Sequence, residues 1–344
     1  MKNELHEIRF AKKEEAGKIQ AFIKNYWKED HIYVNDTAFF LYDFNYGDKL
    51  NIVIALNKDG EIQGMLGCFQ YNEALKGSDL FCAMWKVLPK NGEPQLGIRL
   101  LLFLKEQSGA RSVSTVGANI NTLPIYNFLG YKTGRMEHYY VVNSDLKEFQ
   151  VVGNYSAGKL KRDNTPAAKD KLVEVVTDKE VLALYNSLPA IKTTPSKSTW
   201  YFEKRYLKHP YYKYRFFVAK ENGIAKSIFV VRGIKTDTYK VLRIVDLLGD
   251  DKSLIGAGAW FQELLQREKA EYIDFYFYGI PKSIMADSGF TRRAEKSKVI
   301  IPNYFEPLTL KNIEIYFFST KKRNLRFYKG DGDQDRPSKA LTIN

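Results

Sequence analysis

The segment from Leu80 to Tyr131 reads LFCAMWKVLPKNGEPQLGIRLLLFLKEQSGARSVSTVGANINTLPIYNFLGY. Its apolar runs and turn residues predict alternating strands and helices. The first apolar run stops at Pro89, because proline has no amide proton with which to continue a central strand. The predicted elements are, in order, a buried strand from Leu80 to Leu88, a loop over 90–96, a helix from Gly97 closed by Gly109, a strand from Arg111 to Val116 and a short amphipathic helix from Leu123 to Leu129.

The order strand, glycine loop and helix start is an arrangement that binds phosphate. The backbone N–H groups of a first helical turn have no partner within the helix, and the helix dipole adds partial positive charge there. Gly97 would let the backbone come close to an anion. The same pattern is also compatible with an ordinary strand-to-helix turn and a capping glycine.

Two partial motifs in this segment resemble the GCN5-related N-acetyltransferase (GNAT) superfamily. Its cofactor loop, Q/R-x-x-G-x-G/A, falls on 94–99, where only Gly97 matches; Pro94 replaces the first residue, next to Gln95, and Arg99 the last. The downstream pattern N-x-x-A-x-x-x-Y-x-x-x-G-F falls on Asn119, Thr122, Tyr126, Gly130 and Tyr131, with Thr for Ala and Tyr for Phe. The two motifs in this order and spacing are more specific than either alone.

This resemblance implies an acyl-CoA cosubstrate and direct transfer to an amine. A backbone N–H near Lys86 to Leu88 would stabilise the oxyanion, and Tyr126 would protonate the leaving thiolate. Tyr126 is alternatively a packing residue on its short helix. The residues implied to bind the cofactor are Val87, Leu88, Gln95, Leu96, Gly97, Ile98, Arg99, Asn119 and Tyr126.

Length and composition predict a cytoplasmic protein of about two domains. The chain has 344 residues, of which 44% are hydrophobic, and no apolar run approaches the ~20 residues of a membrane helix. The charged N-terminus lacks the apolar core of a signal peptide. Cys68 and Cys82 lie in strand-like runs and are interpreted as buried thiols. The four histidines show no ligand spacing, so we expect no metal.

The formal net charge is +13, which raises the possibility of nucleic-acid binding. Basic residues alternate with acids along the whole chain, however, and no long basic block occurs. We therefore predict no nucleic-acid partner. A solvated basic surface explains most of the excess, and a positive cleft for diphosphate-bearing substrates would also use it.

The second half repeats the first in outline, with Ser288-Gly289-Phe290 mirroring Gly130-Tyr131. Its loop over 249–254 carries Asp250 and Asp251 where a phosphate loop needs neutral amides, so we expect no coenzyme A there. The predicted fold class is α+β, with tandem GNAT-like domains of mixed sheets flanked by helices. The predicted domains are 1–146 for acyl-CoA, a linker over 147–180 and a degenerate copy over 181–344 for acceptor recognition.

Candidates for acceptor binding lie in both halves. His31 is placed where a GNAT fold builds its acceptor side and is a candidate general base, with a packing role at a helix end as the equal alternative. Asp331 and Asp333 belong to a Gly-Asp-Gly-Asp run, which we interpret as a polar loop or surface turn rather than a Ca²⁺ site. The full set of predicted acceptor-binding residues is His31, Asn35, Arg205, Lys208, Tyr304, Glu306, Asp331 and Asp333.

Over its full length the chain resembles bacterial sugar N-acyltransferases of surface-polysaccharide pathways, such as that of anthrose biosynthesis. The resemblance rests on the strand end Trp-Lys-Val-x-Pro and on the runs from Asn303 to Pro307 and from Gly330 to Pro337. It implies transfer of an acyl group, such as a 3-hydroxyacyl group, to the amino group of a nucleotide-sugar such as dTDP-4-amino-4,6-dideoxyglucose. Two alternatives remain, a peptidoglycan-type aminoacyltransferase and a non-catalytic interaction protein of GNAT fold.

Overall fold

Two mixed sheets of eight strands each form the frame of the protein. The computed structural model describes residues 5–90, 92–155 and 171–339. Up to residue 150 the strands are β1 (Glu7–Lys12), β2 (Asn45–Tyr46), β3 (Lys49–Leu56), β4 (Ile62–Gln70), β5 (Asp79–Val87), β6 (Ser112–Ala118), β7 (Lys132–Arg135) and β8 (Glu137–Val142). After it they are β9 (Lys171–Val175), β10 (Tyr214–Glu221), β11 (Ile224–Lys235), β12 (Lys240–Gly249), β13 (Tyr272–Tyr278), β14 (Thr291–Arg292), β15 (Tyr304–Phe305), β16 (Leu308–Thr309), β17 (Tyr316–Ser319) and β18 (Phe327–Tyr328).

The helices pack on the faces of these sheets. They are α1 (Ala16–Tyr26), α2 (Ile32–Asn35), α3 (Thr37–Phe44), α4 (Leu96–Gln107), α5 (Leu123–Phe128), α6 (Asp178–Ser187), α7 (Thr199–Phe202), α8 (Ala257–Glu268) and α9 (Lys282–Ala286). A π-helical turn, Glu203–Leu207, continues α7. Among the described residues, no helix is long and apolar enough to cross a membrane.

The first sheet has the order β1-β3-β4-β5-β6-β17-β7, with β2 beside β3. Its ladders are antiparallel except for β5 and β6, which run parallel from Asp79↔Ser112 to Phe81↔Ser114 and then stop pairing. The second sheet has the order β14-β8-β13-β12-β11-β10-β9, with β18 beside β13. Its one parallel pair within that order, β12 with β13, also ends early, at Ile244↔Phe275. The same architecture therefore occurs twice, as the sequence predicts.

The two halves exchange strands. β8 follows β7 directly in the chain but pairs with β13 of the second sheet. In return β17, from near the C-terminus, lies between β6 and β7 of the first sheet. The predicted boundaries at 146 and 180 do not include this exchange, and their assignment to acyl-CoA and acceptor binding stays a prediction. Within the predicted linker the structure describes β9 and the first residues of α6, while residues 156–170 lie outside the described residues.

A C-terminal segment, residues 325–339, crosses both halves and is called the strap below. Its acids and bases are held by ion pairs to each half in turn. Asp331 lies 3.0 Å from Lys197, Asp335 lies 2.8 Å from Arg232, and Arg336 lies 2.6 Å from Asp43 of α3. Buried charges require such partners, so the strap is fixed to the interior.

Candidate functional site

The candidate site begins where β5 and β6 stop pairing. On its other edge β5 carries a bulge, because Ala83 faces Gly67 and Lys86 faces Met65, which leaves Met84 and Trp85 opposite one residue of β4. Met84 has a φ of 50°, a left-handed conformation that non-glycine residues seldom adopt. A bulge twists a strand, and here it accompanies the separation of β5 from β6.

Each half contains a cavity of similar volume. The cavity of the second half measures ≈ 480 Å³, and that of the first half, ≈ 490 Å³, lies at the gap between β5 and β6. The predicted cofactor-site residues around it are Val87, Gly97, Ile98, Asn119 and Tyr126. The sequence did not single out most of the remaining lining residues, which are Trp27, Cys82, Ala83, Met84, Trp85, Pro94, Thr115, Val116, Gly117, Ala118, Thr122, Ile125 and Asp333. The signal that most of them share is position, since Cys82 to Trp85 of β5 and Thr115 to Ala118 of β6 flank the point where these parallel strands part.

The start of α4 forms one wall of this cavity. A Cβ added at Gly97 would lie 3.6 Å from Trp85 Nε1 and 3.6 Å from Val87 Cγ2, which is ordinary van der Waals contact, so a side chain longer than a methyl group would enter the space between helix and strand. Gln95 is the N-cap residue, without a capping side-chain hydrogen bond. Leu96 is fully buried in the core and does not line the cavity.

Arg99 occupies the place of the small residue in the GNAT loop, and its guanidinium pairs with a carboxylate of the protein. Its Nη1 lies 2.9 Å from the Glu93 carboxylate. Oε2 of Glu93, one of the two oxygens that Arg99 contacts, also lies 2.9 Å from His6 Nδ1. The negative charge of Glu93 near the helix start is thus matched within the protein.

Tyr126 forms the opposite wall. Its ring stacks on Phe318 of β17 with centroids 4.2 Å apart, so a strand from the C-terminal part of the chain fixes it. Burial raises the pKa of Tyr126, and a hydrogen bond with Thr122 opposes this in part. The phenol is therefore protonated at neutral pH and is available as a proton donor. Asn119 caps the turn before α5 by accepting from the Asn121 N–H at 2.9 Å.

Within the predicted oxyanion region, Lys86 to Leu88, the N–H of Leu88 is already engaged. The Leu88 N–H donates to the Gln63 carbonyl at 2.9 Å. The backbone without a cross-strand partner lies three and four residues earlier, at Trp85 and Met84. Both residues line the cavity, so the bulge is the better candidate.

His31 lies outside the cavity lining and has a structural role. It caps α2, since its Nδ1 accepts from the Tyr33 N–H at 3.2 Å. Burial lowers its pKa to about 4, which keeps the imidazole neutral. We therefore correct its assignment as general base or acceptor ligand to that of a helix cap. Asn35, which is exposed, donates to the His31 carbonyl at 3.3 Å.

Two residues predicted to bind the acceptor are instead part of the interior. Arg205 is buried and donates to the carbonyls of Gly330 at 3.2 Å and Asp335 at 2.7 Å. Asp331 is fully buried and accepts from Tyr71 at 2.9 Å. Neither can reach a diphosphate or a sugar hydroxyl. Sequence reasoning placed them at the surface because charged residues are seldom fully buried.

The remaining acceptor candidates separate into three that lie outside the cavity lining and one that lines it. Lys208 is exposed and pairs with Glu203. Glu306 accepts from the Tyr212 hydroxyl at 2.8 Å, and Tyr304 donates to Gln334 at 2.6 Å. Asp333 alone among the predicted acceptor residues lines the cavity.

β18 occupies the corresponding gap of the second half, and the ≈ 480 Å³ cavity of that half lies beside it, with Leu247, Gly249 and Tyr328 in its lining. β18 pairs with β13 at Phe277↔Tyr328, and the Gly330 N–H donates to the Val245 carbonyl of β12 at 2.7 Å. The start of α8 is also occupied, since the Gly258 N–H donates to the Ser288 carbonyl at 2.7 Å. These contacts support the prediction that coenzyme A does not bind there.

Metal ligands are not grouped in the described part of the chain. Across residues 5–90, 92–155 and 171–339, no three His, Cys, Asp or Glu side chains are placed to share an ion. Cys68 and Cys82 face each other across β4 and β5 as buried free thiols.

Comparison with solved structures identifies the fold. A GCN5-related N-acetyltransferase from Anabaena variabilis ATCC 29413 is similar with a TM-score of 0.54 and 10% identity, over 91% of this chain and 72% of that one. A conserved protein of unknown function from Enterococcus faecalis V583, described as a probable N-acyltransferase, gives 0.52 and 11%, over 91% and 71%. A GCN5-related N-acetyltransferase from Kribbella flavida gives 0.51 and 11%, over 92% and 71%.

These similarities confirm the predicted fold class, an α+β GNAT architecture. None of the three descriptions names a sugar acceptor or a polysaccharide pathway. No protein-family model and no curated protein sequence matches the chain.

Proposed function

We propose that the protein is an acyl-CoA-dependent N-acyltransferase that transfers an acyl group to an amine by direct attack on the thioester. One observation carries the proposal: the ≈ 490 Å³ cavity at the separation of β5 and β6 is bounded by the start of α4 on one side and by Tyr126 on the other. In proteins of the GNAT fold, the corresponding cleft usually binds acyl-CoA. The account needs no metal.

The residues around the cavity suit an acyl-CoA. Gly97 and Ile98 lie in the first turn of α4, where backbone N–H groups lack partners within the helix and favour phosphate. The apolar side chains of Ala83 and Val116 line the gap between the strands, which suits the acyl arm.

The chain supplies three groups for the chemistry. A backbone N–H of the bulge at Met84 and Trp85 would hydrogen-bond the carbonyl oxygen as negative charge develops on it. Tyr126, protonated at neutral pH, would give its proton to the departing sulfur. Trp27 would lie on the acceptor side, since it joins the lining from the end of α1.

The acceptor suggested by the sequence resemblance is the amino group of a nucleotide-linked sugar such as dTDP-4-amino-4,6-dideoxyglucose. The net charge of +13 is compatible with a diphosphate-bearing substrate. The burial of Arg205 and Asp331 removes two of the anchors proposed for it. The amino sugar therefore remains the first acceptor to assay. We propose only that the acceptor group is an amine, and we assign no residues to the sugar or the nucleotide.

The test uses the full chain with acetyl-CoA and a 3-hydroxybutyryl-CoA, measuring acceptor-dependent release of the free thiol. The acceptors are the dTDP-amino sugar and a set of small primary amines. We expect acyl-CoA binding and amine-dependent thiol release. Binding of aminoacyl-tRNA instead of acyl-CoA would favour a peptidoglycan-type transferase, and absence of both would favour a non-catalytic interaction protein.

A further inference from the structure

The strap carries a carboxylate from the second half into the cavity of the first. Gly332 passes where β5 and β6 part, since a Cβ added to it would lie 3.6 Å from Phe81 Cδ1 and 3.8 Å from the Val116 carbonyl oxygen. The next residue, Asp333, lines the cavity together with Cys82. The carboxylate of Asp333 thus lies beside the gap in which the proposed function places the thioester.

Asp333 differs from the other acids of the strap. Asp331 and Asp335 are buried and each is paired with a cation, Lys197 and Arg232 respectively. Asp333 has no ion pair among the described residues, and Gln334 is the one side chain there that donates to it, at 3.0 Å. A partly buried carboxylate that lacks a cationic partner in the protein is a favourable binding site for a cationic hydrogen-bond donor of a substrate.

We propose that Asp333 binds the acceptor's amino group as an ammonium ion and then accepts its proton. This inference rests on the proposed function. Asp333 takes the first proton from the ammonium ion and releases it to water, which leaves a neutral amine beside the carboxylate. The nitrogen then forms the new N–C bond to the thioester carbonyl while the C–S bond breaks, its second proton passes to Asp333, and the sulfur takes a proton from Tyr126. Exchange with water restores the carboxylate and the phenol, so that one proton is released overall. The preferred acceptor is thus an aliphatic amine that is cationic at neutral pH, rather than a weakly basic one.

The charges around Asp333 support this role. Burial raises its pKa, against the hydrogen bond from Gln334 and the charge of Arg336. Arg336 belongs to the strap and is itself paired with Asp43 at 2.6 Å. The facing groups from other elements are Cys82 of β5, Tyr33 of α2 and Tyr304 of β15, and burial raises the pKa of all three, which leaves them neutral near pH 7. A raised pKa makes Asp333 a stronger base than an exposed aspartate.

The variant that tests this is Asp333→Asn, which keeps the side chain's size and an oxygen for Gln334. Its matched control is Asp237→Asn, at an exposed site between β11 and β12. We expect acetyl-CoA affinity within threefold of wild type by calorimetry and an unchanged melting temperature. With an aliphatic amine substrate, kcat/KM should fall roughly 10²–10³-fold, and the acid limb of its pH profile should disappear. The control should match wild type in each measurement.

A readout independent of turnover is the ¹³C signal of the Asp333 carboxyl group. In wild-type protein saturated with coenzyme A, it should titrate above the usual aspartate range and shift on addition of n-butylammonium. If coenzyme A binds but this signal ignores the ammonium ion and Asp333→Asn keeps more than a third of the activity, the inference is wrong. If coenzyme A does not bind wild-type protein at all, the proposed function itself fails.

Discussion

Replacing Asp335 by Asn tests how strongly the strap is anchored to the second half. The substitution keeps the size of the side chain and removes its charge. Asp335 is buried, lies 2.8 Å from Arg232 Nε and accepts from the Tyr214 hydroxyl at 3.0 Å. Arg205, whose Nη2 lies 3.4 Å from the same carboxylate, is the second buried cation.

The expected cost follows from these partners. Removing one member of a buried ion pair costs about 3–5 kcal/mol, because the remaining charge stays in a medium that solvates it poorly. Asparagine keeps an acceptor for Tyr214, and Glu306 lies 4.0 Å from Arg232 and compensates part of its charge. We therefore expect the lower end, a loss of about 3 kcal/mol in the free energy of unfolding.

The assay is urea unfolding followed by circular dichroism at several pH values, with Asp237→Asn as the control. Burial raises the pKa of Asp335, but Arg232 and Arg205 outweigh it and leave the pKa below its usual value. The native state then binds fewer protons than the unfolded state, so this stabilisation is present above about pH 4 and is lost as pH falls through the folded pKa. The deficit of the variant should therefore shrink in acid. A loss below about 1 kcal/mol at pH 7 would refute the reasoning.

Two further substitutions separate chemistry from structure. Tyr126→Phe keeps the stacking on Phe318 and removes only the hydroxyl, so kcat should fall roughly 10²–10⁴-fold with the melting temperature unchanged; a fall under about tenfold in steady-state assays would leave Tyr126 a positioning role. His31→Asn keeps a capping side chain and should leave kcat unchanged. Because the folded pKa of His31 is lowered to about 4, the unfolded state binds more protons between pH 6.5 and 4, and stability falls as pH falls. Between pH 6.5 and 4, the free energy of unfolding measured in urea should therefore fall by roughly 1–3 kcal/mol less in the variant than in wild-type protein. The same pH dependence in both proteins would contradict the burial of a neutral imidazole.

The central segment was predictable because its signals are local. Pro89 ends a strand, Gly97 opens a helix and Gly109 closes it, and the structure has β5 at Asp79–Val87 and α4 at Leu96–Gln107. Each signal acts through backbone geometry within a few residues. The twofold repeat of the fold was readable for the same reason, since each half carries its own sequence of such signals.

The strand exchange and the strap were not predictable in this way. Phe317 pairs with Val116 of β6 across two hundred residues of sequence, and nothing in its local pattern selects that partner. Arg205 and Asp331 show the same limit, because their charge predicts exposure while their partners lie in the strap and in distant loops. The bulge at Met84 depends on register against β4, which one strand's sequence does not reveal.

The most direct test of the account is a calorimetric titration of the full chain with acetyl-CoA. We expect one site per chain, in the cavity between β5 and β6. Gly97→Val should weaken binding at least tenfold by placing methyl groups between α4 and Trp85, and Gly97→Ala, whose Cβ makes ordinary contacts, should weaken it less.

The matched control is Gly233→Val in the second half, where an added Cβ meets Leu242 alone, at 3.7 Å. It should bind as wild type does. Two sites per chain, or Gly97→Val binding with wild-type affinity, would contradict the placement of acyl-CoA between β5 and β6.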